Sequence, residues 1–173
     1  DYNRAGTPLV EVVTWPDFRD ADEVSEFLKE LQRIARYNNI SDADMEKGQM
    51  RVDVNISIRA SDNAPLGTRV ELKNINSFGA VRRAIEHEYI RQVWLLDNGG
   101  TIEQETRWWD DAAGNSYSMR SKENALDYRY FPEPDLPILD IKNLDLGFQT
   151  NDIVVPFVVV KQLKDEYGFH KEY

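Results

Sequence analysis

Asp53, Asn55, Glu71 and Lys73 stand at alternate positions of two short segments, residues 50–58 and 68–74. Two acids, an amide and a lysine on one surface would hold a divalent cation and the phosphates it bridges. A plainer reading is a solvated sheet face with opposite charges paired across a hairpin, a scaffold segment without a site. A sharper one is a Mg²⁺-dependent nuclease, because an acid on one strand (Asp53) followed by Glu71-Leu72-Lys73 on the next is the pattern such enzymes use, with Lys73 assisting the attacking water. Glu11 is the fifth conspicuous residue. It interrupts an otherwise apolar run, Leu9-Val10-Glu11-Val12-Val13. Desolvating a lone carboxylate costs several kcal/mol, so Glu11 is expected to be protonated, paired, bound to a metal, or turned to water on an edge strand.

The remaining composition narrows the chemistry. With no cysteine, the 173-residue chain has no disulfide framework, thiolate metal site or cysteine nucleophile. Its two histidines are His87 and His170, and His87, between Glu86 and Glu88, reads as a solvated helix residue. The balance of 31 acids against 21 bases, a net charge of −10, disfavours nonspecific binding to a phosphate backbone. The nuclease reading suffers from the same lack of a basic stripe. Trp108-Trp109 and the aromatics of Tyr128-Arg129-Tyr130-Phe131 could stack a base or pack on the core. No Gly-rich phosphate loop of the Walker or Rossmann type and no Gly-x-Ser-x-Gly occurs. No apolar run approaches the roughly 18 residues that span a bilayer, so no membrane association is expected.

These residues need elements to position them. Residues 9–13 read as a short buried strand closed by Trp15-Pro16-Asp17. Residues 20–38 read as a helix, with Asp20 as cap, Glu23 reaching back, and Val24, Phe27, Leu28, Leu31, Ile34 and Ala35 on one face. Residues 50–58 and 68–74 alternate apolar and polar, which predicts an antiparallel pair. A second helix spans residues 77–96 with Phe78, Val81, Ile85 and Tyr89 as its stripe, and residues 101–109 and 116–120 form a second hairpin. Residues 127–137 are extended, and Pro156 opens a last helix. The fold class expected is α+β, an antiparallel sheet with packed helices. The start at Asp1 and the end at Tyr173 read as cuts in a longer protein.

Several long stretches resemble the central region of the GatB family, the GatB subunits of tRNA-dependent amidotransferases. They are the run from Asp1 to Val13, Met45-Glu46-Lys47-Gly48, Arg51-Val52-Asp53-Val54-Asn55-Ile56-Ser57, Glu71-Leu72-Lys73-Asn74-Ile75-Asn76-Ser77-Phe78, Gln104-Glu105-Thr106-Arg107, and the run from Asp127 to Pro137. The blocks keep the family's order. The resemblance implies a glutamine-synthetase-like catalytic (cradle) domain over residues 1–145, with residues 146–173 as linker and first helix of a helical domain. It implies an ATP- and Mg²⁺-dependent ligase that phosphorylates the side-chain carboxylate of Glu-tRNA(Gln) or Asp-tRNA(Asn), after which ammonia displaces the phosphate. The ammonia comes from a separate amidase subunit, and another, small subunit completes the complex, in a bacterial cytoplasm or organelle matrix. Carried over by position, Glu11, Asp53 and Glu71 are expected metal ligands. Lys73 and Asn55 are expected to meet phosphate or the metal's shell, and Arg129 the substrate end. Further metal ligands from N-terminal strands, and the helical and tail domains that bind tRNA, lie outside these residues, so the chain alone is expected to be inactive.

Overall fold

The computed structural model describes residues 6–121, 137, 140–143, 147 and 153–169. Asp20 opens helix α1 (Ala21–Tyr37), its carboxylate accepting from the Glu23 N–H at 2.8 Å. Glu23 does reach back, but one residue further than a capping box, accepting from the Arg19 N–H at 2.7 Å. Asn39, in the left-handed region at φ 54°, follows the helix end. Ser77 caps α2 (Phe78–Asp97) through its hydroxyl, which accepts from the Ala80 N–H at 3.0 Å.

Four strands form one sheet in the order β1 (Val52–Ile56), β2 (Val70–Ile75), β3 (Glu105–Asp110), β4 (Asn115–Ser121). The β1–β2 and β3–β4 pairs are antiparallel hairpins, as the alternation predicted. Between them β2 and β3 run parallel, joined by α2 as the crossover, so the α+β sheet is mostly rather than wholly antiparallel. Helices α1 and α2 cover one face. Leu28, Val70, Leu72, Ile75, Val81, Ala84 and Trp109 are the centre of that core. The other face carries Asp53, Asn55, Glu71 and Lys73.

A bulge sets the end of β2. Val54 pairs with Leu72 but Val52 pairs with Ile75, so Lys73 and Asn74 together oppose Asp53. Asn74 takes φ 66° there, and its side-chain amide donates to the Trp109 carbonyl at 2.9 Å. The extra residue lets Leu72 and Ile75, an odd number apart, both point into the core. Strict alternation would have buried Asn74 instead.

Three expectations from the sequence differ from the structure. Residues 7–15 lie outside the sheet, with Leu9, Val10, Val12, Val13 and Trp15 exposed. A strand requires a neighbour for its backbone groups, and apolar content by itself does not provide one. On α2 the buried face is Ala80, Val81, Ala84, Glu88 and Gln92, while Tyr89 is exposed. The polar half of that face exists because β3 lays Glu105 and Arg107 beneath it. His87 is not solvated either: it is half-buried against Trp109, ring centroids 5.6 Å apart. Helix α3 (Pro156–Tyr167) starts at Pro156 as expected and docks beside the end of α1. There the Asn38 amide donates to the Val154 carbonyl at 2.8 Å and its oxygen accepts from the Val154 N–H at 2.9 Å. The expected extended segment 127–137 falls almost wholly outside the described residues.

Candidate functional site

Alternation along β1 and β2 puts the chemistry-bearing side chains on the face away from the helices, and register brings them together. Asn55 is the direct partner of Glu71. Lys73, displaced by the bulge to face Asp53, donates to Asp53 Oδ2 at 3.1 Å and stands 3.6 Å from Glu71 Oε1. The parallel pairing then adds β3: Thr106 is the partner of Glu71 and Trp108 that of Lys73. The Thr106 hydroxyl donates to Glu71 Oε2 at 2.9 Å. Glu71 is the most enclosed of the charged groups, its side chain 13% exposed against 50% for Asp53 and 42% for Lys73.

The bond from Lys73 to Asp53 holds the lysine above its ordinary pKa, against the burial that would lower it, with Glu71 adding to the rise. Lys73 is therefore a fixed cation at neutral pH and a poor proton acceptor. That favours shielding of negative charge over the base role a nuclease mechanism would ask of it.

Asp53, Glu71 and the Asn55 amide are hard oxygen donors of the sort Mg²⁺ accepts, and that ion is commonly held by one or two carboxylates together with substrate phosphates. The Lys73 ammonium lying between the two carboxylates marks the point where positive charge is stabilised on this face. The donor set fits a hard divalent cation at Asp53 and Glu71. Among the described residues, however, no three His, Cys, Asp or Glu side chains gather at metal-binding distance, so Glu11 is not brought into a set with these two. Glu11 is exposed, on the segment outside the sheet. Arg129 and the other aromatics of its run lie outside the described residues. Trp108 projects from the site face, whereas Trp109 is buried in the core.

Sequence reasoning missed the groups behind the site. Glu88 is wholly buried under β3 and accepts two bonds from Arg91, at 2.7 and 2.8 Å, and one from the Gln92 amide at 2.8 Å. Arg107 stands 3.7 Å from Glu88, donates to Glu105 at 2.7 Å, and donates to the Ser116 hydroxyl and carbonyl at 2.8 and 2.7 Å. Burial pushes the Glu105 carboxyl up, but bonds with Ser118 and Arg107 outweigh it and hold the group below its ordinary value. The only signal in the sequence was the charged pair flanking Thr106. It could not be used without knowing that α2 lies over β3.

Comparison with known proteins agrees with the motif blocks. A sequence model of the GatB/GatE catalytic domain matches residues 1–146. The chain is 49% identical over 169 residues to the GatB subunit of the aspartyl/glutamyl-tRNA(Asn/Gln) amidotransferase of Symbiobacterium thermophilum, covering 97% of this chain and 34% of that protein. It is 57% identical over 136 residues to the protein of the same name from Francisella tularensis subsp. novicida, covering 79% of this chain and 29% of the relative. The chain thus spans about a third of the length of the curated relatives it matches. With the model covering most of its length and its strands carrying the acids on one face, the chain belongs to the GatB/GatE catalytic-domain family.

Proposed function

We propose that this chain is the central part of the GatB subunit of a tRNA-dependent amidotransferase. In this reading it serves the ATP-dependent phosphorylation of the side-chain carboxylate of Glu-tRNA(Gln) or Asp-tRNA(Asn), from which ammonia displaces phosphate. The observation that carries the reading is the convergence of Asp53, Lys73 and Glu71 on one sheet face of a chain in this family. Asp53 and Glu71, with Asn55 beside them, would hold Mg²⁺, and Lys73 would meet phosphate oxygens. The bound ion supplies Lewis-acid neutralisation of the nucleotide phosphates. Lys73, kept protonated by its acidic neighbours, shields the charge that builds as phosphate moves to the acceptor carboxylate. Thr106 and the strand beneath it keep Glu71 on the working face. Arg129 at the substrate end, and Glu11 as a further ligand brought in by other parts of the protein, remain part of the proposal.

The partners proposed are the amidase subunit that releases ammonia from glutamine, the small subunit that completes the complex, and a mischarged tRNA held mainly by regions beyond this chain. A bacterial cytoplasm or organelle matrix is the setting such partners require. Among the described residues no helix is long and apolar enough to cross a membrane. The net charge of −10 fits a chain that contributes a catalytic face rather than a tRNA grip, so alone it should neither amidate nor bind tRNA tightly.

The test is made in the complete complex. Asp53→Asn or Glu71→Gln is expected to abolish ATP-dependent activation while leaving glutamine hydrolysis measurable. Full activation by both variants would refute the site. DNA incubated with the chain and Mg²⁺ should stay intact; cleavage would restore the nuclease reading.

A further inference from the structure

The carboxylate of Glu71 has two oxygens, and the structure gives them different tasks. Oε2 accepts from the Thr106 hydroxyl at 2.9 Å, while Oε1 is the atom nearest the Lys73 ammonium, at 3.6 Å, on the side shared with Asp53. The donor is buried, only 4% exposed, and comes from a different hairpin, through the parallel pairing of Glu71 with Thr106. Its strand is fixed from behind: the flanking residues Glu105 and Arg107 point to the helix side, where Arg107 bonds Glu105 and Ser116, and where Arg107 and Arg91 both approach Glu88. A hydroxyl on so constrained a strand has little freedom to follow a rotating carboxylate. It sets the carboxylate plane instead.

We propose that Thr106 is a positioning residue for the reaction, holding Glu71 so that its Oε1 edge faces the cation position beside Asp53. The proposal rests on the function inferred above and extends it to a residue that touches neither nucleotide nor acceptor. A carboxylate fixed by an outer hydrogen bond binds a metal without first losing rotational freedom, and removing such outer partners typically lowers metal affinity or activity.

In the complete complex carrying the full-length protein, Thr106→Val keeps the shape of the side chain and removes the donor. It is expected to weaken Mn²⁺ binding, read by electron paramagnetic resonance titration, and to raise the Mg²⁺ needed for half-maximal activation, each by about 10- to 100-fold. Thr106→Ser, which restores the hydroxyl without the methyl, should return both quantities to near those of the parent. Parental Mn²⁺ affinity in Thr106→Val overturns the proposal. So does a Thr106→Ser protein as impaired as Thr106→Val, because packing and not the hydroxyl would then be the cause. Glu71→Gln separates this from failure of the underlying reading. If Glu71→Gln abolishes metal binding and activation while Thr106→Val leaves them intact, only the role of Thr106 falls. If Glu71→Gln leaves both unchanged, the site itself falls.

Discussion

At the scale of single residues, the working face is defined by a lysine that two acids hold in its charged form. A removed Lys73 takes with it the cation that shields transferring phosphate, and loss of one such preorganised group typically costs about 10²-fold in kcat. Lys73→Met in the complete complex is expected to lose about that much of the activation step, with glutamine hydrolysis unaffected, as phosphate release and ammonia release measured separately would report. His87 offers a second test on the opposite side of the sheet. Burial against Trp109 lowers its pKa, Arg107 and Arg91 add to the lowering, and Glu88 opposes it. The folded value lies below the ordinary 6.5, so the folded chain takes up this proton later than the unfolded chain as pH falls. The stability from a neutral His87 is complete above pH 6.5 and declines as pH drops from there toward the folded value. With only two histidines in the chain, ring resonances followed by NMR should give one midpoint below 6.5, and it should vanish in His87→Phe.

At the scale of elements, the question is what keeps β3 at a fixed height under α2. Glu88 is fully buried between Arg91 and Arg107, and Gln92 adds a bond to the same carboxylate. Breaking such a pair from one side leaves uncompensated buried charge and costs about 3–5 kcal/mol. Glu88→Ala is therefore expected to destabilise the fold by about that amount in urea unfolding, well beyond a surface substitution. The bulge at Lys73–Asn74 does related work at the other end of the same helix–strand unit, turning Lys73 toward Asp53 while Ile75 stays in the core. The hairpin hydrophobic pattern was readable from residues 50–58 and 68–74. The bulge was not, because it depends on Asn74 reaching the Trp109 carbonyl on a strand 35 residues further along.

At the scale of the whole molecule, the sheet and its two covering helices meet α3 at Asn38. This side chain accepts from and donates to the Val154 backbone, a two-bond clasp at the end of α1. Two net hydrogen bonds are worth roughly 1–2 kcal/mol. Asn38→Ala is expected to leave the sheet's amide exchange unchanged and to speed exchange across residues 156–167 in the full-length protein. Uniform protection in both proteins would show that α3 is held by other contacts. Exposed apolar side chains on α3, among them Phe157, Val160 and Tyr167, and those of residues 9–15 show how much of this chain's surface is not that of a finished globule. That agrees with a chain spanning about a third of its relatives' length.

Local information in the sequence determined the helices, because their caps, Asp20 and Ser77, and their 3.6-residue stripes act within a few residues of one another. It determined the two hairpins for the same reason, alternation being a property of the strand itself. It also marked Asp53, Asn55, Glu71 and Lys73 as sharing a polar face. Only the tertiary structure decided that β2 and β3 run parallel, that Thr106 therefore meets Glu71, that Glu88 lies buried rather than solvated, and that residues 7–15 stand outside the sheet. Each of those outcomes depends on which segment becomes a neighbour across a long stretch of chain. No periodicity within a segment records its partner, since the free energy that selects it belongs to the contact and not to either strand alone.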